Sequence, residues 1–166
     1  MEDLQSTLKE FGAKNGLEIA FDENGSCTLE LADGRVLLIQ ERADLNELDF
    51  VATLGSVPEH LRAEVFTDLL AANFYWKETF GATLSWNADL AEVVLIYPLQ
   101  LDYATPKLVE TIFTRFVTLQ TAWAERFAKM LENAQEHSSH APDDEEDEEE
   151  ELADGDDAND EIVIAP

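Results

Sequence analysis

The chain has 166 residues, of which 37 are Asp or Glu and only 10 are Lys or Arg, so its formal net charge is −27. This length is typical of a single domain, and so strong a negative charge argues against direct binding to nucleic acid. The longest apolar run, residues 93–99, is too short to span a bilayer, and residues 1–4 do not resemble a secretory signal. Cys27 is the only cysteine, which rules out an intrachain disulfide and favours a reducing compartment. We therefore expect a cytoplasmic protein with no membrane insertion.

Residues 1–54 are predicted to form a helix followed by strands. Leu4, Leu8 and Phe11 recur at the spacing of an amphipathic helix over residues 3–14. After this helix, apolar and polar residues alternate in four stretches separated by turn residues, which predicts a three-stranded antiparallel meander plus a further strand. The four stretches are residues 17–21, 27–31, 36–40 and 47–54.

Two further helices flank a predicted β-hairpin, which makes the fold class α+β. The first of them begins at Pro58 and runs to about Asn73, and its apolar residues cover more of its circumference than one sheet requires. This excess indicates that the helix makes a homodimer contact. The hairpin follows over residues 82–97, and Thr105-Pro106 then begins a long C-terminal helix that is predicted to end near Glu136.

The composition changes at about residue 137. Residues 137–166 contain 14 acidic residues and no basic one. So few apolar side chains cannot offset the entropy cost of ordering the segment. The sequence therefore predicts a domain over residues 1–136 and a disordered acidic tail over residues 137–166. The end of the tail differs, because Glu161 is followed by the three β-branched residues Ile162-Val163-Ile164.

No arrangement of residues in the sequence indicates catalysis. Cys27 lies on the apolar side of a predicted strand, where cysteine behaves as a small hydrophobe. Gly-rich phosphate loops and nucleophile elbows are missing from the sequence. His137 and His140 lie beside the acidic tail, but a metal site needs fixed ligands. We therefore expect a protein that is not an enzyme and that has no cofactor or metal.

Five short motifs resemble those of one family when they are taken in order. They are Leu54-Gly55-x-Val57-Pro58, Leu69-Leu70-x-x-Asn73, Gly81-Ala82-Thr83-Leu84-Ser85-Trp86, Glu92-Val93-Val94-Leu95 and Leu99-x-Leu101-Asp102. Over about residues 3–133 the chain is similar to class I type III secretion chaperones, the Tir chaperone (CesT-like) family. The resemblance implies an acidic, cytosolic α+β homodimer that binds the N-terminal chaperone-binding segment of one or more secreted effectors. It also implies that the effector is kept competent for export without any use of nucleotide.

Two surfaces are expected if the chain has this function. An effector segment would lie in grooves between the first helix and the adjacent strands, or would add to a sheet edge. The candidate effector-binding residues are Leu4, Leu8, Phe11, Phe21 and Val36. The candidate dimer-interface residues are Leu61, Val65, Leu69, Phe74 and Trp76. The alternative for the effector-binding residues is a place in the core, and Phe74 and Trp76 could equally form an aromatic cap on the sheet.

Other functions stay open on the sequence alone. A regulator with the same fold would bind a transcription-control protein of the secretion system. A small acidic ligand-binding domain or enzyme would instead have a discrete polar pocket. The tail could be an inert solubilising segment, could contact a secretion ATPase or export gate, or could occupy the protein's own binding site.

Overall fold

The computed structural model of the chain describes residues 2–31 and 34–140. It contains three α-helices, which are α1 (Glu2–Lys14), α2 (Arg62–Asn73) and α3 (Pro106–His140). It also contains five strands, which are β1 (Ser26–Glu30), β2 (Val36–Arg42), β3 (Glu47–Ser56), β4 (Thr83–Asn87) and β5 (Glu92–Gln100). The predicted α+β class, with a meander before α2, a hairpin after it and a long final helix, is confirmed.

The five strands form one antiparallel sheet in the order β1-β2-β3-β5-β4. The longest ladder joins β3 to β5 and contains a bulge between Thr53 and Gly55. Gly55 has φ 142°, and a Cβ added there would lie 3.2 Å from the Phe127 ring of α3. Glycine is therefore favoured at this bulge, where the Phe127 ring of α3 packs against the strand.

All three helices pack on one face of the sheet. Buried strand residues such as Ile39, Phe50 and Leu95 form a single core with Leu8 of α1, Val65 and Leu69 of α2, and Phe116, Trp123 and Phe127 of α3. Phe50 lies near the middle of this core, with its ring centroid 6.3 Å from that of Phe113 and 6.0 Å from that of Phe116. The three helices thus cover one face of the sheet, and the opposite face is available for contacts with other molecules.

The strand predicted over residues 17–21 is not formed, so three strands precede α2 instead of four. The segment packs on α1 instead, because Ile19 is buried against Gly12, where an added Cβ would lie 2.7 Å from the Ile19 Cγ1 atom. At its end, the Asp22 carboxylate accepts hydrogen bonds from the backbone N–H groups of Asn24 and Ser26, both at 2.8 Å. This turn leads the chain into β1.

Helix α3 is longer than predicted. It has 35 residues and continues through His140, which is four residues beyond the predicted domain boundary. Within these four residues, His137 Nδ1 lies 2.7 Å from a carboxylate oxygen of Glu64 in α2. Residues 137–140 are therefore helical, and the remainder of the predicted disordered tail, residues 141–166, lies outside the described residues. Over the part of the chain that the structure describes, no helix is both long and apolar enough to cross a membrane.

Candidate interaction surfaces

The face of the sheet opposite the helices carries an apolar row, called here the open face. Leu38, Val51 and Ile96 are aligned side by side on β2, β3 and β5 by the register of the sheet. All three are half-buried and lie outside the core that contains the helices. A row of β-branched and aliphatic side chains on a sheet is the kind of surface that an extended apolar segment can cover.

A nearly buried carboxylate lies on the open face beside this row. Asp49 is only 5 % exposed, and its Oδ2 atom accepts a hydrogen bond from the Arg42 guanidinium at 3.3 Å. Among the described residues, none donates a hydrogen bond to its Oδ1 atom. Burial raises the pKa of Asp49 above its ordinary value, while the charge of Arg42 opposes the shift and Glu47 adds to it.

The raised pKa of Asp49 predicts a pH-dependent cost to folding. A carboxyl whose pKa is higher in the folded than in the unfolded state stabilises the fold fully below its unfolded pKa, and this stabilisation is lost as the pH rises through the folded pKa. The variant Asp49→Asn carries no charge to bury, so its stability relative to the wild type is expected to increase as the pH rises above about 4, the ordinary pKa of an aspartate. Urea unfolding of both proteins at a series of pH values from about 4 upwards measures the difference. Asp68→Asn on the exposed side of α2 controls for the loss of one negative charge, and a difference that stays constant for Asp49→Asn would contradict the prediction.

The structure separates the predicted effector-binding residues instead of bringing them into one groove. Leu8 has no exposed surface and belongs to the core, which is the alternative that the sequence left open for it. Val36 is 47 % exposed but shares the open face with Leu38, because alternate residues of a strand point to opposite faces. Leu8 and Val36 therefore lie on opposite sides of the sheet.

The remaining effector-binding candidates lie on the helix side. Phe11 is half-buried and packs edge-to-face on Phe113 at 5.2 Å. Phe21 is also half-buried and packs against the core just before β1. Leu4 lies within α1, and its side chain is outside what the structure describes. Phe11 and Phe21 each keep part of their surface exposed, so their contact with an effector stays a prediction.

Three of the predicted dimer-interface residues are core residues of the monomer. Leu61, Val65 and Leu69 are all buried against the chain's own core, so in this conformation they have little surface to offer a second copy. Helix α2 contacts both β4 and α3, and these two neighbours within the chain cover part of the wide apolar arc that the sequence assigned to a second copy. Leu70 of the same helix stays exposed.

The other two predicted interface residues lie in an exposed stretch, residues 74–80, called here the aromatic segment. Its aromatic residues Phe74, Tyr75, Trp76 and Phe80 are between 55 % and 78 % exposed. Such exposure excludes an aromatic cap buried on the sheet. Leu70 is also exposed and precedes Phe74 by four residues. Clustered apolar exposure of this kind marks interaction surfaces.

The backbone of the aromatic segment is strained and held by α3. Tyr75, Trp76 and Phe80 have φ of 53°, 52° and 50°, a conformation that costs free energy for residues other than glycine. Trp123 of α3 donates a hydrogen bond to the Glu78 carbonyl at 3.2 Å, and Arg126 pairs with the Glu78 carboxylate. A rigid helix thus holds the strained segment and presents its rings to solvent.

Nothing within residues 2–31 and 34–140 is arranged as a metal centre, since no three His, Cys, Asp or Glu side chains are grouped to hold an ion. Cys27 is buried, and burial raises the pKa of its thiol. A buried thiol with a raised pKa is poorly reactive.

Several solved structures share this fold. The ExsC–ExsE complex matches with 19 % identity and a TM-score of 0.63, over 78 % of this chain and 94 % of that chain. The ExoU–SpcU complex from the type III secretion system of Pseudomonas aeruginosa matches with 21 % identity and a TM-score of 0.59, over 76 % and 98 %. The Yersinia pestis type III secretion chaperone SycH, in complex with a fragment of YscM2, matches with 17 % identity and a TM-score of 0.54, over 76 % and 98 %. At these identities the likeness establishes the fold alone.

The family is established by sequence. None of the curated proteins compared with the chain matches it. The model of the Tir chaperone protein (CesT) family, in contrast, matches residues 6–124. These residues include most of α1, the whole sheet, α2 and about the first half of α3. The chain therefore belongs to the Tir chaperone protein (CesT) family.

Proposed function

We propose that this protein is a chaperone of a type III secretion system, which binds the N-terminal chaperone-binding segment of one or more effectors and keeps them competent for export. The observation that carries the proposal is the family match over residues 6–124. The solved complexes of similar fold include one described as the HopA1–SchA chaperone–effector complex, which supports it. The protein would act in the bacterial cytoplasm as a homodimer, by binding alone, without a cofactor.

The open face is proposed as the main contact for the effector segment. An extended segment lying across β2, β3 and β5 would bury Leu38, Val51 and Ile96, at a gain of about 25 cal/mol for each Å² of apolar surface covered. Within the described residues, β1 and β4 each pair with one strand only, so their outer edges could add a strand of the effector through backbone hydrogen bonds. A segment that crosses the β1 edge would also reach Phe11 and Phe21 on the helix side.

The net charge supports binding of an unfolded partner. A charge of −27 attracts basic segments and accelerates their association. It also keeps a protein with exposed aromatic and aliphatic surfaces soluble. Both effects suit a protein that binds a segment reversibly and releases it for export.

The proposed function is tested by recovering the natural partner. The tagged protein is expressed in its native bacterium, purified under mild conditions, and its bound proteins are identified by mass spectrometry. A large protein recovered in a fixed ratio, with only its N-terminal region protected from limited proteolysis in the complex, is the expected result. Recovery of a small regulator bound as a folded unit would contradict the effector proposal and favour a regulatory protein of the same fold.

Negatively charged substitutions on the open face are expected to lower the amount of effector recovered. In the double variant Val51→Glu with Ile96→Glu, two carboxylates would have to be desolvated under the effector segment, so the recovered effector is expected to fall at least about tenfold, or about 1.4 kcal/mol. The control is Thr121→Glu with Ala128→Glu, which adds the same charge to exposed positions of α3. Thermal unfolding of both variants shows that the fold is kept. Equal recovery of the effector with both double variants would mean that the effector binds to a surface other than the open face.

A further inference from the structure

A cavity of about 540 Å³ opens between α3 and the aromatic segment. Its walls are mainly apolar and include Phe80, Tyr97, Ile112, Phe116 and Leu119. Arg115 is the one charged residue among those that line it. The volume lies within the range of sites that bind small ligands or the side chains of a peptide. A fitting occupant would therefore combine aliphatic side chains with a single negative charge.

The helix surface around the cavity is unusual in so acidic a chain. Residues 111–124 of α3 contain no acidic residue and one basic residue, Arg115, although 37 of the 166 residues in the chain are acidic. Four threonines lie in this stretch, namely Thr111, Thr114, Thr118 and Thr121. The hydroxyl of each donates a hydrogen bond to the backbone carbonyl four residues earlier, so all four hydroxyls are paired. Arg115 is exposed and has no acidic partner in the described part of the chain. This surface would attract a negatively charged segment, whereas the remainder of the domain would repel one.

We propose that residues 161–164 of the same chain, Glu161-Ile162-Val163-Ile164, bind in this cavity. The Glu161 carboxylate would accept hydrogen bonds from the Arg115 guanidinium, and the aliphatic side chains that follow would pack against Phe80, Tyr97 and Ile112. This inference goes beyond the proposed function, because it assigns an occupant to a cavity that effector binding on the open face does not use.

The sequence beyond α3 supports this choice of segment. Residues 141–166 include many acids, but only at Glu161 is an acid followed by three β-branched aliphatic residues. Along α3, the 21 residues from His140 back to Leu119 span about 32 Å at about 1.5 Å per residue. The 20 residues from 141 to 160 can span up to about 66 Å when extended. The segment can therefore reach the cavity of its own chain.

The test is methyl NMR on the full chain with a variant in the tail. In Ile162→Ser with Ile164→Ser, the methyl resonances of Ile112 and Leu119 are expected to shift, because the apolar contacts in the cavity are lost. The matched control is Leu152→Ser, which removes an aliphatic residue elsewhere in the tail and is expected to leave both resonances in place. An excess of a peptide with the sequence of residues 158–166 is expected to restore the wild-type positions in the double variant, whereas the reversed peptide is not.

A charge exchange tests the ion pair separately. Arg115→Glu is expected to shift the methyl resonances of Ile162 and Ile164, and the additional change Glu161→Arg is expected to move them back. If the double tail variant leaves Ile112 and Leu119 unchanged, or if Leu152→Ser shifts them equally, the proposal is overturned. A shift that develops only as the protein concentration rises would assign the contact to the tail of a second copy and would overturn binding within one chain.

Discussion

Replacing Phe50 by alanine is expected to lower the free energy of unfolding by about 3–5 kcal/mol. Phe50 is fully buried in β3 and packs against Phe113 and Phe116 of α3. The variant would leave a cavity where the sheet meets its longest helix, and close-packed neighbours relax only partly into such a space. Urea unfolding followed by circular dichroism measures the change.

The next residue along the same strand provides the control. Val51 lies on the open face and is half-buried, so Val51→Ala is expected to cost less than about 1.5 kcal/mol. If the larger change leaves too little folded protein to measure, Phe50→Leu gives a milder loss in the same place. Equal losses for Val51→Ala and Phe50→Ala would contradict the assignment of the two faces of the sheet.

The sequence predicted elements well where local signals were strong. Helical spacing in α1, proline at the start of α3 and turn residues between strands all act over a few residues, and these elements were found. The strand over residues 17–21 was wrong because alternation alone does not say what an extended segment packs against. Here Ile19 packs back on Gly12 of α1, seven residues earlier, and alternation within residues 17–21 does not show this contact.

It was harder to predict which face of the sheet the helices cover and what packs against the apolar side of α2. Strand β2 begins Val36-Leu37-Leu38-Ile39, which is apolar on both faces, so its pattern does not show which face meets the helices. For α2, an arc of apolar residues wider than one sheet needs was read as a dimer contact. Part of this arc is explained by α3, because Val65 and Leu69 pack into a core shared with β4 and α3, whereas Leu70 stays exposed. Which partner covers an apolar surface depends on the tertiary fold.

Replacing both Phe74 and Trp76 by aspartate is expected to separate the proposed homodimer into monomers, with a dissociation constant raised at least about 100-fold. Aromatic residues at the centre of an interface often contribute 2 kcal/mol or more each to binding, and about 2.7 kcal/mol corresponds to a 100-fold change. Both side chains are exposed in the monomer, so the fold should be kept. Sedimentation velocity at micromolar concentration measures the change in mass, and thermal unfolding confirms that the monomer is folded.

Tyr103→Asp is the matched control, because Tyr103 is another exposed aromatic residue and lies at the end of a short 3-10 helix before α3. This variant is expected to leave the dimer intact, because Tyr103 lies outside the aromatic segment. Phe74 and Trp76, in contrast, belong to that strained segment, which Trp123 and Arg126 hold in place. A wild-type protein that sediments as a monomer would contradict the homodimer itself. A dimer that persists in the Phe74 and Trp76 double variant would place the interface outside the aromatic segment. The burial of Leu61, Val65 and Leu69 in the monomer core means that substitutions there would unfold the chain, so they cannot distinguish these outcomes.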